Sequence, residues 1–520
     1  MVTTVRAAVF AALILLGWTG MLAAQDVSLS SRDGKIEISG TLLGFDGQFY
    51  RIETEYGELT VDGSGVQCAG PGCPNLQDFV AELAVSGSST MGEVLMPALI
   101  DAFAARSGYS ALREDEEDNR FTYVLVDQKT NKTVARFMFH ASNTDEGFAD
   151  LLADEADIVM SLREMRPEER QRARDAGLGD MTGLNRSRVL ALDAVVPVVS
   201  PSNPVKSISP LVLAQVFAGQ IINWKVLGGP DAPIDLHLPD NSSGLAQAIA
   251  DQVLRPANLE FAEGISRHAS PGELSDAVSG DSFAIGITSY AERRNTDVLT
   301  LAGSCGFSLD VSRRNIKTED YPLTAPMFLY FPARRLPQLA RDFLAFTRSP
   351  TAQIVIRRAG FVDQTPEEIP VEVQGNRFAN AISVAGTDIP LEELQRMTAT
   401  LTPMARLSTS FRFEAGSVRL DAQSRSNVQQ LARALEVGQY DARRLLFVGF
   451  SDGEGAARAN REIALRRAEA VRRAVTTAAV TVNLDRVVLD VDAFGEAMPM
   501  ACDDTAWGRQ VNRRVEVWVR

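Results

Sequence analysis

Apolar residues fill positions 7–24 almost without a break, and no later stretch repeats that density over the roughly 18 residues a membrane span needs. Arg6 precedes the run, the small residues Ala23 and Ala24 close it, and polar Gln25 and Asp26 follow with no basic flank. That order reads as a secretory signal over residues 1–24 and predicts export, with a soluble mature chain. No Cys follows the run, so a lipid-modified N-terminus is not expected. Residues 27–66 then alternate polar and apolar in short runs, KIEISGTLLGF, FYRIETEYG and ELTVDGSGV, broken by glycine-containing turns. This period of two predicts a small antiparallel β module over 25–75, to which no chemistry is assigned.

From 76 to 362 the pattern changes. Strand-length apolar runs such as LAVSG alternate with helical periodicity, as in MGEVLMPALIDAFAARSG, which is the α/β signature. Residues 363–407 read as a linker with one amphipathic helix at 391–401. A compact α/β unit closes the chain over 408–520. Its strands are expected at 445–449, 486–494 and 514–519, with helices at 426–437 and 456–475. Val428, Leu431 and Leu435 share one helix face, and Ile463, Ala464, Ala468, Val471 and Val475 share the other. The expected fold class is therefore α/β multidomain: a β module, a larger α/β domain and a C-terminal two-layer sandwich.

Charge sharpens the boundary. The net charge is −15, which argues against nucleic acid or an anionic membrane as the main partner. From residue 401 onward 18 arginines and no lysine face 15 acidic residues, a net of +3 that leaves −18 for everything before it. Cys68 and Cys73 lie in CAGPGC, where Gly and Pro allow a tight loop, so a disulfide is expected in an oxidising compartment. Cys305 and Cys502 fall in different domains, and the sequence leaves their pairing open. His140, His237 and His268 are scattered in no ligand spacing, so neither a metal nor a cofactor is expected.

Three loops carry candidate anion chemistry. Ser88, Ser89 and Thr90 link a strand to a helix, Ser161 and Arg163 end another strand, and Ser242, Ser243 and Gly244 open a further helix. Hydroxyls and backbone N–H groups at helix starts suit an oxyanion, although ordinary N-capping explains each loop alone. No nucleophile with a base, carboxylate pair or metal set is evident, so no catalytic residue is assigned and an enzyme is not expected.

Two resemblances follow from longer motifs. FEAGSVRL, VGFSDGEGAARANREIALRRAEAVRRAV, FGEAMP and GRQVNRRVEVWV, over 413–519, resemble the OmpA-like C-terminal family. The resemblance implies non-covalent binding of the diaminopimelate-containing stem peptide of peptidoglycan, with Asp452 and Arg467 holding its zwitterionic end and Ser451 and Asn460 nearby. The family's usual GHTD turn is Gly449-Phe450-Ser451-Asp452 here. An acceptor-only carboxylate and a forked guanidinium match one ammonium and one carboxylate.

SGSST, ADIVMSLRE, ALDAVVPVVSPSNPV, LVLAQVFAGQIINWKVLGGPDAPI, SGDSFAIGITSY and YPLTAPMFLYF, spanning roughly 83–350, resemble the phosphate-binding receptors of ABC importers. This implies a two-lobed periplasmic-binding-protein domain closing over phosphate, with the three loops as ligands. The family's Arg before a Ser-Gly-Thr turn is replaced by Leu236-His237-Leu238, and the turn by Ser243-Gly244-Leu245. Arg163 is expected to supply the missing positive charge. The expected protein is a non-enzymatic, peptidoglycan-anchored receptor for phosphate or a related oxyanion in the periplasm, with outer-membrane association and an envelope protein partner as further expectations. The alternative is a structural protein whose receptor fold has lost its ligand and serves as a spacer or docking surface.

Overall fold

The computed structural model describes residues 26–520 apart from 77, 78, 184, 387 and 415. The secretory signal read at 1–24 lies outside the described residues. Among them, no helix is long and apolar enough to cross a membrane. Asp26–Ser31, Glu37–Phe45, Phe49–Thr54, Gly57–Asp62 and Val66–Ala69 form a five-stranded antiparallel sheet around Val27, Leu29, Tyr50 and Ile52. Cys68 and Cys73 are bridged at its edge, as their spacing predicts.

The largest sheet runs through the middle region. Ala81–Ser88 lies parallel between Thr133–Ser142 and Ile158–Ser161, so Ser88, Ser142 and Ser161 all stand at strand C-terminal ends. Gly87, at φ +122, permits this contact, since a Cβ there would come within 2.2 Å of the Met160 carbonyl oxygen. The long strand Ser187–Val199 is apolar on both faces and buried for most of its length. It pairs first with Thr324–Tyr330 and then with Ala284–Ser289, which carries the chain from one lobe to the other. Asp235–Pro239 continues the second lobe beside Ala284–Ser289. Trp224, from the INW motif, is fully buried and donates its indole N–H to the Phe283 carbonyl at 2.8 Å.

The C-terminal sheet takes the order Glu368–Ile369, Ala405–Phe411, Arg514–Val519, Arg444–Phe450, Val488–Gly495. Helices Ala422–Glu436 and Ala457–Ala478 cover one face, and the second approaches so closely that a Cβ on Gly449 would lie 2.0 Å from the Ala464 carbonyl oxygen. The helix Leu391–Leu401 is present. Residues 363–407 are more than a linker, however. They also hold a helix Gly375–Ser383 and two sheet strands, because Leu394, Met397, Leu401 and Met404 cover the other sheet face around Trp518 and Phe450.

The middle and C-terminal units are fastened together. Cys305 and Cys502 form a second disulfide between them. Asp320 receives bonds of 2.6 and 3.0 Å from Arg406, whose Nε lies 3.4 Å from Glu516, all three side chains being buried. Burial favours the neutral acid at Asp320, but Arg406, Arg377 and Arg412 outweigh it and hold the carboxyl at about 2. Trp507 donates its indole N–H to the Gln252 carbonyl of the second lobe at 2.8 Å. Glu164 of the first lobe accepts from the Ala422 amide at 2.6 Å. The C-terminal unit thus touches both lobes.

Candidate functional site

In the middle region the hydroxyl loops converge from both lobes. Ser88 is fully buried, its Oγ has no hydrogen-bond partner, and a Cβ on Gly244 across the cleft would sit 3.0 Å from that Oγ. Any larger residue there would crowd Ser88 unless one side gave way by a few tenths of an ångström. Thr90 makes no side-chain capping bond, and both it and Ser89 are half-buried. Ser243 caps its own helix by accepting from the Ala246 amide at 3.1 Å, while Ser242 donates to Asp240 at 2.6 Å and is exposed. Asn143 Nδ2 donates to the Ser242 carbonyl at 3.3 Å, a direct bond between the lobes.

Ser161 is buried, and its hydroxyl donates to the Arg163 carbonyl at 2.6 Å, closing a local turn. Arg163 is close to this turn, yet its charge is not free. Its guanidinium bonds Glu169 at 2.6 and 2.8 Å and Asp145, and lies 3.6 Å from Asp251. Burial works against the cation, but Glu169 and Asp145 prevail and hold it more firmly protonated than an ordinary arginine. Its Nε, the atom nearest Asp251, is buried without a hydrogen bond.

Sequence reasoning missed Ser142, whose Oγ is likewise buried and unpartnered, and Asn143, which caps the helix Thr144–Leu152 through the Glu146 amide. The run Ser142-Asn143-Thr144-Asp145 after a strand has the composition of the other loops and was the available signal. Below the loops, Asp150 accepts from Ser86 at 2.5 Å and contacts His140 Nδ1 at 2.9 Å. The carboxylate stands between hydroxyl and imidazole, so the histidine is not positioned as a base on this serine.

The C-terminal site has a different electrostatic balance. Asp452 follows the strand Arg444–Phe450, and its Oδ2 meets Arg513 Nη1 at 2.5 Å. Arg467, on the facing helix, donates only to the Ser417 carbonyl at 3.3 Å and lies over the Phe413 ring. Burial lowers its pKa, the neighbouring Arg513 lowers it further and Asp452 opposes both. Among the described residues it forms no ion pair. Ser451 Oγ is buried without a partner, and Asn460 Nδ2 donates to Glu496 at 2.5 Å. Phe450 is wholly buried in the second core layer with Arg514 over its ring, so the departure from the GHTD turn is absorbed by packing. Of Asn512-Arg513-Arg514, only Arg513 joins the site. Asn512 fixes the Met500 and Ala501 backbone, and Arg514 is buried on Glu516.

Residues 77–351, more than half of the sequence, match the model of the PBP superfamily domain. The chain belongs to the PBP superfamily. Residues 412–513 match the OmpA family. The PBP superfamily region is 24% identical over 229 residues to the phosphate-binding protein PstS of Borreliella burgdorferi, covering 43% of this chain and 78% of that protein. It is 27% identical to PstS of Bacillus subtilis, covering 36% and 61%, and 27% identical to SphX of Synechococcus elongatus, covering 45% and 71%. A solved ABC-type phosphate transport receptor from Vibrio cholerae aligns at 20% identity and a TM-score of 0.41, covering 54% of this chain and 99% of its own. The peptidoglycan-associated lipoprotein from Burkholderia pseudomallei aligns at 26% identity and a TM-score of 0.19, covering 21% and 89%.

Proposed function

We propose that the chain is a non-enzymatic cell-envelope binding protein, held on peptidoglycan by its OmpA-family unit and taking phosphate or a related small oxyanion in the cleft of its PBP superfamily domain. The observation that carries the reading is the buried, unpartnered Ser88 Oγ at a strand C-terminus, facing the Gly244 backbone of the opposite lobe. Ser142 adds a second unsatisfied hydroxyl on the neighbouring strand, and a buried hydroxyl without a partner costs about 1–3 kcal/mol unless a ligand satisfies it. The PstS relatives are named for the same ligand class.

On the wall side, Asp452 takes the ammonium and Arg467 the carboxylate of a diaminopimelate terminus, with Arg513 steadying the aspartate. Arg467 holds a partly desolvated charge that the chain itself does not neutralise, which favours a bound carboxylate. The full chain should pellet with purified sacculi, and Asp452→Ala and Arg467→Ala should each remain in the supernatant. Undiminished pelleting of both variants would remove the wall-binding half of the reading.

A second reading, a receptor fold turned spacer, is favoured by one observation: Arg163 is already surrounded by Asp145, Glu169 and Asp251. Phosphate titration separates the two, since a spacer gives no saturable heat that Ser88→Ala removes.

A further inference from the structure

A cavity of about 390 Å³ lies between the inter-lobe strand Ser187–Val199 and the helix Ala422–Glu436, away from both sites described above. Three arginines from three separate parts of the chain line it. Arg188 comes from the strand that joins the lobes, Arg348 from the turn after the helix Gln338–Phe346, and Arg433 from the C-terminal helix. Arg425, two turns before Arg433 on that helix, lines it as well. Among the described residues, none of the four is in an ion pair with a carboxylate.

Such a cluster is unfavourable unless something shares its charge. Arg188 spends Nη1 on the Leu344 carbonyl and on Thr347 Oγ1 at 3.3 Å, but its Nε is buried without any partner. Arg425 reaches only the Leu420 carbonyl, at 2.7 Å. Burial and then the charge of Arg433 push Arg188 down to about 10. Glu436 pulls on Arg433 without pairing with it, and also accepts from the Thr481 amide at 3.1 Å. The remaining wall is amide, hydroxyl and apolar, including Gln353, Gln429, Ser426 and Val189. It holds no acidic side chain to repel an anion.

We infer that this cavity is a second anion site, built for a compact oxyanion carrying at least two negative charges and seated between the hinge and the wall-binding unit. Forked guanidinium donors from different elements suit phosphoryl or carboxylate groups, which share this chemistry. Because one arginine belongs to the hinge strand and another to the C-terminal unit, the occupant ties the two together. It reinforces a seam that otherwise holds here through Ser426 Oγ, which accepts from the Val189 amide at 3.4 Å, and through Gln430 on the Gln364 carbonyl.

The test is calorimetric titration of the full chain with inorganic pyrophosphate and, separately, with citrate, which distinguishes phosphoryl from carboxylate ligands. Saturable binding of at least one is expected, weakened about tenfold or more by Arg348→Gln with Arg433→Gln and unchanged by Ser88→Ala in the cleft. Arg348→Gln alone, at an exposed position, should weaken binding in the same direction and guards against loss of fold in the double variant. The bound anion should also raise the Tm of the wild type and not of the double variant. No saturable binding of either probe, or binding that follows Ser88→Ala and ignores the arginines, would overturn the inference.

Discussion

Arg163 and Arg467 each reach a serine- or aspartate-bearing turn, the first from two residues after Ser161 and the second from the facing helix, yet their surroundings give them opposite standing. Arg163 is encircled by Asp145, Glu169 and Asp251, so its charge is consumed within the protein. Arg467 meets only a backbone carbonyl and an aromatic face, and the nearby Asp452 is shared with Arg513. The pocket proposed for the wall therefore keeps one guanidinium unpaired and an aspartate shared with Arg513, whereas the cleft offers mostly neutral donors. A motif fixes where an arginine stands; the acids that fold around it decide whether its charge reaches a ligand.

The contrast can be broken at several points. Arg163→Ala should destabilise the fold by about 3 kcal/mol, measured by urea denaturation, because it leaves the buried Glu169 uncompensated. Arg467→Ala removes a cation that burial disfavours, so it should cost less than about 1 kcal/mol while abolishing sacculus binding. Equal stability losses in the two variants would erase the distinction.

Between the two sites, acidic groups at the seam make stability depend on pH. Burial raises Glu319 to about 8, with Asp421 and Asp320 adding to the rise against Arg412 and Asn427. The folded state keeps this proton where the unfolded chain has lost it. The stabilisation is thus fully present below the unfolded value of 4.5 and disappears as pH rises towards about 8. Glu164, raised to about 7 by burial and by Asp421, acts in the same sense. Denaturation should show a fall of about 1–3 kcal/mol between pH 5 and 8 that Glu319→Gln flattens. A dependence unchanged by that variant would assign it elsewhere.

The smallest effect sharpens the contrast most. Asp145→Asn removes one of the carboxylates around Arg163, so part of its charge turns to the cleft and phosphate should bind about three- to tenfold more tightly. Weaker binding would mean that Asp145 serves the ligand by orienting Arg163.

Much of this was legible along the sequence because it is local. The helix at 391–401, the strand-to-helix serine loops, the Cys68–Cys73 bridge and the aspartate turn each leave a signature within a few residues. What escaped joins distant positions. Cys305 meets Cys502 across 197 residues, Asp320 meets Arg406, and the acids that consume Arg163 come from three separate elements. No periodicity records such pairings: each charged member alone reads as an ordinary surface residue, and the two cysteines stand in no shared local motif. The strand Ala405–Phe411 was obscured for a related reason: its partner, Arg514–Val519, stands at the far end of the chain.

The central claim is that the cleft binds a small oxyanion mainly through neutral donors, and phosphate titration of the full chain tests it most directly. The account predicts a saturable site whose affinity falls about ten- to a hundredfold in Ser88→Ala and is unchanged by Arg348→Gln with Arg433→Gln, with the melting temperature otherwise preserved. No saturable heat in the wild-type protein, or an affinity indifferent to Ser88→Ala, would contradict it.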